Sequence, residues 1–114
     1  MLCLFLDDDN TRHAALNEDG HCVWHARTAR EAIELLDRIR FDFASLDHDL
    51  GGKTFVNSDE PDTGYRVALH IAGMERPPLR VRVHSYNPAG AGRMMAALAG
   101  KVRAYYAPFN GRLK

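Results

Sequence analysis

The chain has 114 residues, 46% of them hydrophobic and 26% charged, which fits a single globular domain with one core. Fifteen basic residues balance fifteen acidic ones, with six histidines besides. This balance argues against a long nucleic-acid groove or a membrane surface held by net charge, so any phosphate must be held by a local site.

Residues 1–6 (MLCLFL) form an apolar run, the pattern of a strand buried on both faces. The run meets acid at Asp7, too soon for a signal peptide or a membrane span, and the expected location is the cytoplasm. Cys3 and Cys22 are too few for a disulfide framework and are expected as buried free thiols. Residues 10–16 are a short helix candidate, and residues 21–25 (HCVWH), entered through the Asp19-Gly20 turn, a second strand. Thr28 and Glu31 stand at capping-box spacing, and Ala29, Ala32, Ile33, Leu36 and Ile39 then recur on one helical face. Residues 41–46 read as a third strand that stops at Asp47, and the polar stretch 48–62, with Gly51-Gly52, as a long loop. A helix is expected from about Thr63 to just before Pro77-Pro78, then a strand over 79–83. Asn87-Pro88 opens a last helix that carries Met94, Met95 and Leu98 inward and ends at Gly100; residues 102–106 complete the strands. The alternation predicts a doubly wound α/β fold, one domain over residues 1–114, whose parallel five-stranded sheet has the flavodoxin-like order 2-1-3-4-5.

In such sheets ligands bind beyond the carboxyl ends of the strands, at the switch between strands one and three. Strand one ends in Asp7, Asp8 and Asp9, strand three in Asp47, His48 and Asp49, and strand four in His84 and Ser85. Two carboxylates about 4 Å apart repel by roughly 4 kcal/mol at an effective dielectric of about 20, which a shared proton or a bound cation relieves. The oxygen-rich set Asp7, Asp8, Asp47 and Asp49 suits Mg²⁺ or Mn²⁺, and the histidines widen the choice towards transition metals. Each piece also has a plainer reading. Asp8, Asp9 or Asn10 can cap a helix, and Asp47 and Asp49 can serve the turn beside Gly51-Gly52. Ser85 can donate to a phosphoryl oxygen, His48 or His84 can act as acid, base or ligand, and Asn87 opens a helix start that attracts phosphate. Arg12 can pair with phosphate or stand in solvent, while His13, His21, His25 and His70 are expected to be structural.

Residues 4–8 (LFLDD), 45–51 (SLDHDLG), 63–65 (TGY) and 84–88 (HSYNP) resemble the cyclic-phosphate-processing relatives of response-regulator receiver domains over nearly the full length. The resemblance implies a receiver-like fold and action on cyclic phosphates at RNA ends or in nucleotides, with some members in phage or defence contexts. It assigns Asp7, Asp8, Asp47 and Asp49 to the acidic site and His48, His84 and Ser85 to its polar additions. Ala107-Pro108-Phe109 stands where receivers usually have Lys-Pro-Phe, which argues against phospho-aspartate signalling. The leading expectation is a metal-dependent phosphoesterase using Asp47, His48, His84 and Ser85, with Arg12, Ser85 and Asn87 on phosphate. The alternatives are a receiver phosphorylated on Asp47 and a module that sequesters a cyclic nucleotide without cutting it.

Overall fold

The computed structural model describes residues 1–9 and 22–107, so the helix candidate at 10–16, Arg12, His13, His21, Pro108 and Phe109 lie outside the described residues. The described elements are β1 (Leu2–Leu6), β2 (Cys22–Ala26), α1 (Ala29–Arg38), β3 (Phe43–Leu46), α2 (Gly64–Ala72), β4 (Arg80–Val83), α3 (Pro88–Leu98) and β5 (Arg103–Tyr106). The five strands form one sheet of order β2-β1-β3-β4-β5, every pairing parallel. The order reverses at β1, which is the doubly wound pattern.

Period-2 alternation along the strands divides the sheet into two faces. Leu4, Leu6, Ala44, Leu46, Val81 and Val83 join Ala32 and Leu36 of α1, Val67 and Ile71 of α2, and Met94 and Leu98 of α3 in one buried core. On the other face Cys3, Phe5, Phe43, Ser45 and Arg82 are also fully buried.

Local chemistry sets the element boundaries. The Thr28 hydroxyl accepts from the Glu31 N–H (3.1 Å) and donates to its carboxylate (3.3 Å), which starts α1 with a side-chain N-cap. Asn87 caps α3 by accepting from the Gly90 N–H at 3.0 Å, with Pro88 in the first turn. Gly64 opens α2 against the end of β3, where its N–H donates to the His48 carbonyl at 2.9 Å. A Cβ at Gly64 would stand 1.8 Å from the Asp47 carbonyl oxygen, so only glycine lets the helix start here. The third strand begins at Phe43 rather than 41, and the fourth and fifth each begin one residue later than the sequence pattern suggests. One thiol expectation needs correcting. Cys3 is buried, and burial pushes its pKa up to about 11, but Cys22 is exposed because it opens a strand at the edge of the sheet.

Candidate functional site

Register brings the site together. Leu6 pairs with Leu46 and Leu46 with Val83, so the next row across three adjacent strands is Asp7, Asp47 and His84. Backbone ladders carry that row beyond the strands: Asp7 N donates to Ala26 O at 3.0 Å, Asp47 N to Leu6 O at 2.9 Å, and His84 N to Leu46 O at 2.9 Å. One ligand atom from each of Asp7, Asp47 and His84 lies within 4.8 Å of the others.

Asp7 and His84 are fully buried. His84 Nε2 meets Asp7 Oδ2 at 3.0 Å, and its Nδ1 meets the Ser45 hydroxyl at 2.7 Å. Its ring stacks on Phe5 with centroids 4.9 Å apart and planes 4° from parallel. Asp7 Oδ1 accepts from the Asp9 N–H at 2.9 Å, and the Asp7 carbonyl contacts His25 Nε2 at 2.7 Å. Without a cation, a proton between Nε2 and Asp7 Oδ2 satisfies that pair; a cation bound there would replace this proton, with Nδ1–H donating to the Ser45 hydroxyl.

Asp47 is the member of the row that reaches solvent. It lines a crevice of about 230 Å³ with Asp8, Asp49 and Tyr86, and with Gly52, Lys53 and Thr54 of the following loop. Burial first, and then the neighbouring Asp7 charge, push the Asp47 carboxyl up to about 7; Asp8 and Asp49 add to the rise. The His48 N–H, donating to Asp47 Oδ1 at 2.8 Å, opposes it in part.

Asp49 and His48 hold the loop instead. Asp49 accepts from His48 Nδ1 (2.8 Å), Asn87 Nδ2 (3.0 Å) and the N–H groups of Phe55 (2.7 Å) and Val56 (3.1 Å). Burial alone would raise its pKa, but these hydrogen bonds together leave it below the usual carboxylate value. His48 is fully buried, and its Nε2 contacts the Ser58 hydroxyl at 2.8 Å. Gly90 makes room for that ring, since a Cβ there would sit 2.4 Å from His48 Cγ. Asn87 also donates to Val56 O at 3.2 Å, and Asp8 accepts from Gly52 N at 2.6 Å. Phe55, with φ 52°, holds the left-handed backbone that lets its N–H reach Asp49.

The expected residues therefore divide. Asp7, Asp47 and His84 converge, and Asp8 and Asp49 line the crevice beside Asp47. His48 lies inside the fold, Ser85 is buried with its hydroxyl accepting from Asn87 N at 3.0 Å, and the Asn87 side chain is taken up by the cap and the loop. Arg12 is outside the described residues. Lys53 carries no sequence signal of its own; Ser45 opens the 45–51 segment but has no role assigned there, although its even spacing to Asp47 places both on one face of β3. At Ala107 the backbone N–H closes onto Val83 O at 2.9 Å, and the carbonyl accepts from Arg82 Nε at 3.1 Å. A larger hollow of about 720 Å³ lies at the far ends of α1 and α2, around the Asp37–His70 pair, away from the strand ends where ligands of this fold bind.

These residues fit a divalent cation: two carboxylates and one imidazole converge, and one of the carboxylates is crowded enough to keep its proton to about pH 7. Among the described residues, no helix is long and apolar enough to cross a membrane.

Comparison with known proteins adds a family. The sequence model of a family described as the cyclic-phosphate processing receiver domain matches residues 2–100. No curated protein matches the sequence. Among solved structures, the fold is similar to a CheY-like receiver domain protein from Methanospirillum hungatei JF-1, with TM-score 0.67 and 19% identity over 97% of this chain and 84% of that one. It is also similar to the chemotaxis protein CheY4 of Vibrio cholerae, with TM-score 0.65 and 20% identity over 96% and 88%. A third similar structure is a Burkholderia pseudomallei response regulator with a phosphorylated aspartic acid, a calcium ion and citrate; the TM-score is 0.65 and the identity 20% over 96% and 61%.

Proposed function

As the chain belongs to the cyclic-phosphate processing receiver family, we propose that it is a metal-dependent phosphoesterase that opens cyclic phosphates, at RNA 2′,3′-cyclic ends or in cyclic nucleotides. The observation that carries this reading is the convergence of Asp7, Asp47 and His84 at the carboxyl ends of three adjacent strands, next to an open crevice. Asp7, Asp47 and His84 would hold Mg²⁺ or Mn²⁺, which when bound polarises a phosphoryl oxygen and acidifies water.

The chain's own groups then have separate tasks. Ser45 and Phe5 fix the His84 ring, and His84 with the Asp9 N–H fixes the Asp7 carboxylate, so this side of the site needs little rearrangement. Asp47 lines the crevice and would, besides ligating the cation, accept a hydrogen bond from the attacking water through its second carboxylate oxygen and so orient it. The water oxygen bonds to phosphorus, one ring P–O bond breaks, and the departing ribose oxygen takes up a proton. His48 and Asp49 act by holding the loop wall, with neither histidine ring lining the crevice.

The test is turnover of 2′,3′-cyclic nucleotides with Mg²⁺, with Mn²⁺ and with chelator. Metal-dependent conversion to a monoester is the expected result; tight binding with no turnover of any cyclic phosphate would favour sequestration and overturn the enzyme reading. A second reading has its own support, since the similar Burkholderia pseudomallei regulator carries a phosphorylated aspartic acid and a calcium ion. On that reading Asp47 accepts a phosphoryl group. Acetyl phosphate would then leave a phosphoryl adduct on Asp47, visible by intact mass.

A further inference from the structure

We propose that Lys53 is the residue that holds the substrate's phosphoryl oxygens, so that the loop after β3 supplies the cationic half of the site. This rests on the phosphoesterase reading and assigns it a specificity residue.

The argument begins with charge. Four carboxylates, Asp7, Asp8, Asp47 and Asp49, stand in or directly behind the crevice. A divalent cation leaves that set net negative, and a cyclic phosphodiester carries a negative charge of its own. An anion therefore enters only where a further positive charge meets it. Among the described residues that line the crevice, Lys53 is the one basic side chain. Among the described residues its ammonium has no hydrogen bond or ion pair, although three carboxylates share the same crevice.

The loop around Lys53 is fixed from both sides. Immediately before it, Gly52 N donates to Asp8 Oδ2 at 2.6 Å. Two residues after it, Phe55 N donates to Asp49 Oδ2 at 2.7 Å, and Val56 is held through both its N–H and its carbonyl by Asp49 and Asn87. Only Lys53 and Thr54 stand between these anchors. The anchors hold the backbone of residue 53 at the crevice wall, while its side chain keeps the freedom to meet a ligand. A lysine placed this way serves as a point charge for phosphate, and arginine can replace it in part.

The test compares the wild type with K53M and K53R by calorimetric titration, first with Mg²⁺ alone and then with inorganic phosphate at saturating Mg²⁺. In K53M, phosphate affinity is expected to fall about tenfold, the scale of one lost charge-assisted hydrogen bond at a solvent-accessible site. K53R should retain phosphate affinity to within about threefold, and Mg²⁺ affinity in K53M should be unchanged or tighter, since a neighbouring positive charge is gone. With 2′,3′-cyclic AMP, K53M should raise KM more than it lowers kcat. Because Lys53 is exposed, an unchanged unfolding midpoint for K53M is expected and separates the effect from misfolding. Equal phosphate affinity in K53M and wild type overturns the assignment, as does a wild type that binds no phosphate with Mg²⁺ present. Lys53-dependent phosphate binding without any turnover would instead leave the assignment standing and overturn the phosphoesterase reading.

Discussion

The two walls of the crevice are built on different principles. The strand-end wall is a row of side chains set by parallel register, with Asp7, His84 and Ser45 fully buried and tied to one another. The loop wall, residues 51–56, is almost wholly exposed and held at a few points by carboxylates that accept backbone N–H groups. The difference assigns roles. On the proposed reading, the groups that would hold a cation stand on rigid strand ends, where their positions cost little reorganisation, and the group that would recognise ligand rides on a loop whose anchors set only its backbone. Acidic residues serve both walls: on the proposed reading Asp7 and Asp47 would carry the chemistry, while Asp49 and, through Gly52, Asp8 anchor the loop.

The sharpest way to break this division is Asp47→Asn. It should abolish cation binding and lower turnover by about a thousandfold or more, on the scale of the several kcal/mol a bound cation supplies to a phosphoryl transition state. Circular dichroism should show the fold intact. Gly64→Ala strikes the strand-end wall through the backbone, because its Cβ would collide with the Asp47 carbonyl. A loss of about 3 kcal/mol or more in urea unfolding is expected, from overpacking against backbone that cannot move alone. Ser45→Ala leaves His84 Nδ1 without its 2.7 Å partner; Mg²⁺ affinity should fall about tenfold, as when a ligand loses its orienting neighbour. Asp49→Ala releases the loop wall, and KM should rise by several-fold, on the order of one lost contact, with Mg²⁺ affinity nearly unchanged.

The same division predicts a pH dependence of stability. The Asp47 carboxyl ionises at about 7 in the fold against a reference of 3.8, so the folded state binds more protons between those values. Its stabilising contribution is complete below pH 3.8 and is lost as pH rises through about 7. Metal-free protein should therefore lose stability across that window. Mg²⁺ should offset the loss, because the cation competes with the proton for the same carboxylate.

Much of this was legible in the sequence because it depends on local pattern. Apolar runs ending in acid gave the strands and their ends, and Thr28 with Glu31 and Asn87 with Pro88 gave the helix starts. The five-strand order follows from the alternation of strands and helices, and the convergence of Asp7, Asp47 and His84 follows from that order. What the pattern obscured was direction. His48 and Ser85 each follow a member of the Asp7–Asp47–His84 row by one position, and period-2 alternation turns the residue after such a group towards the opposite face. Their residue types suggested chemistry, and parity would have argued for the interior. The Gly90 contact shows how the fold makes room for the His48 ring there. Lys53 had no such signal, since its place depends on anchors 44 and 6 residues apart in sequence, Gly52 on Asp8 and Phe55 on Asp49.

One measurement tests the central claim most directly: a crystal of this protein soaked with Mn²⁺ and a 2′,3′-cyclic nucleotide, with anomalous data collected for the metal. The account predicts an anomalous peak bounded by the Asp7 and Asp47 carboxylates and His84, with phosphoryl density on the crevice side of Asp47. No peak there, or a metal held only by Asp8 and Asp49 at the loop wall, would contradict it.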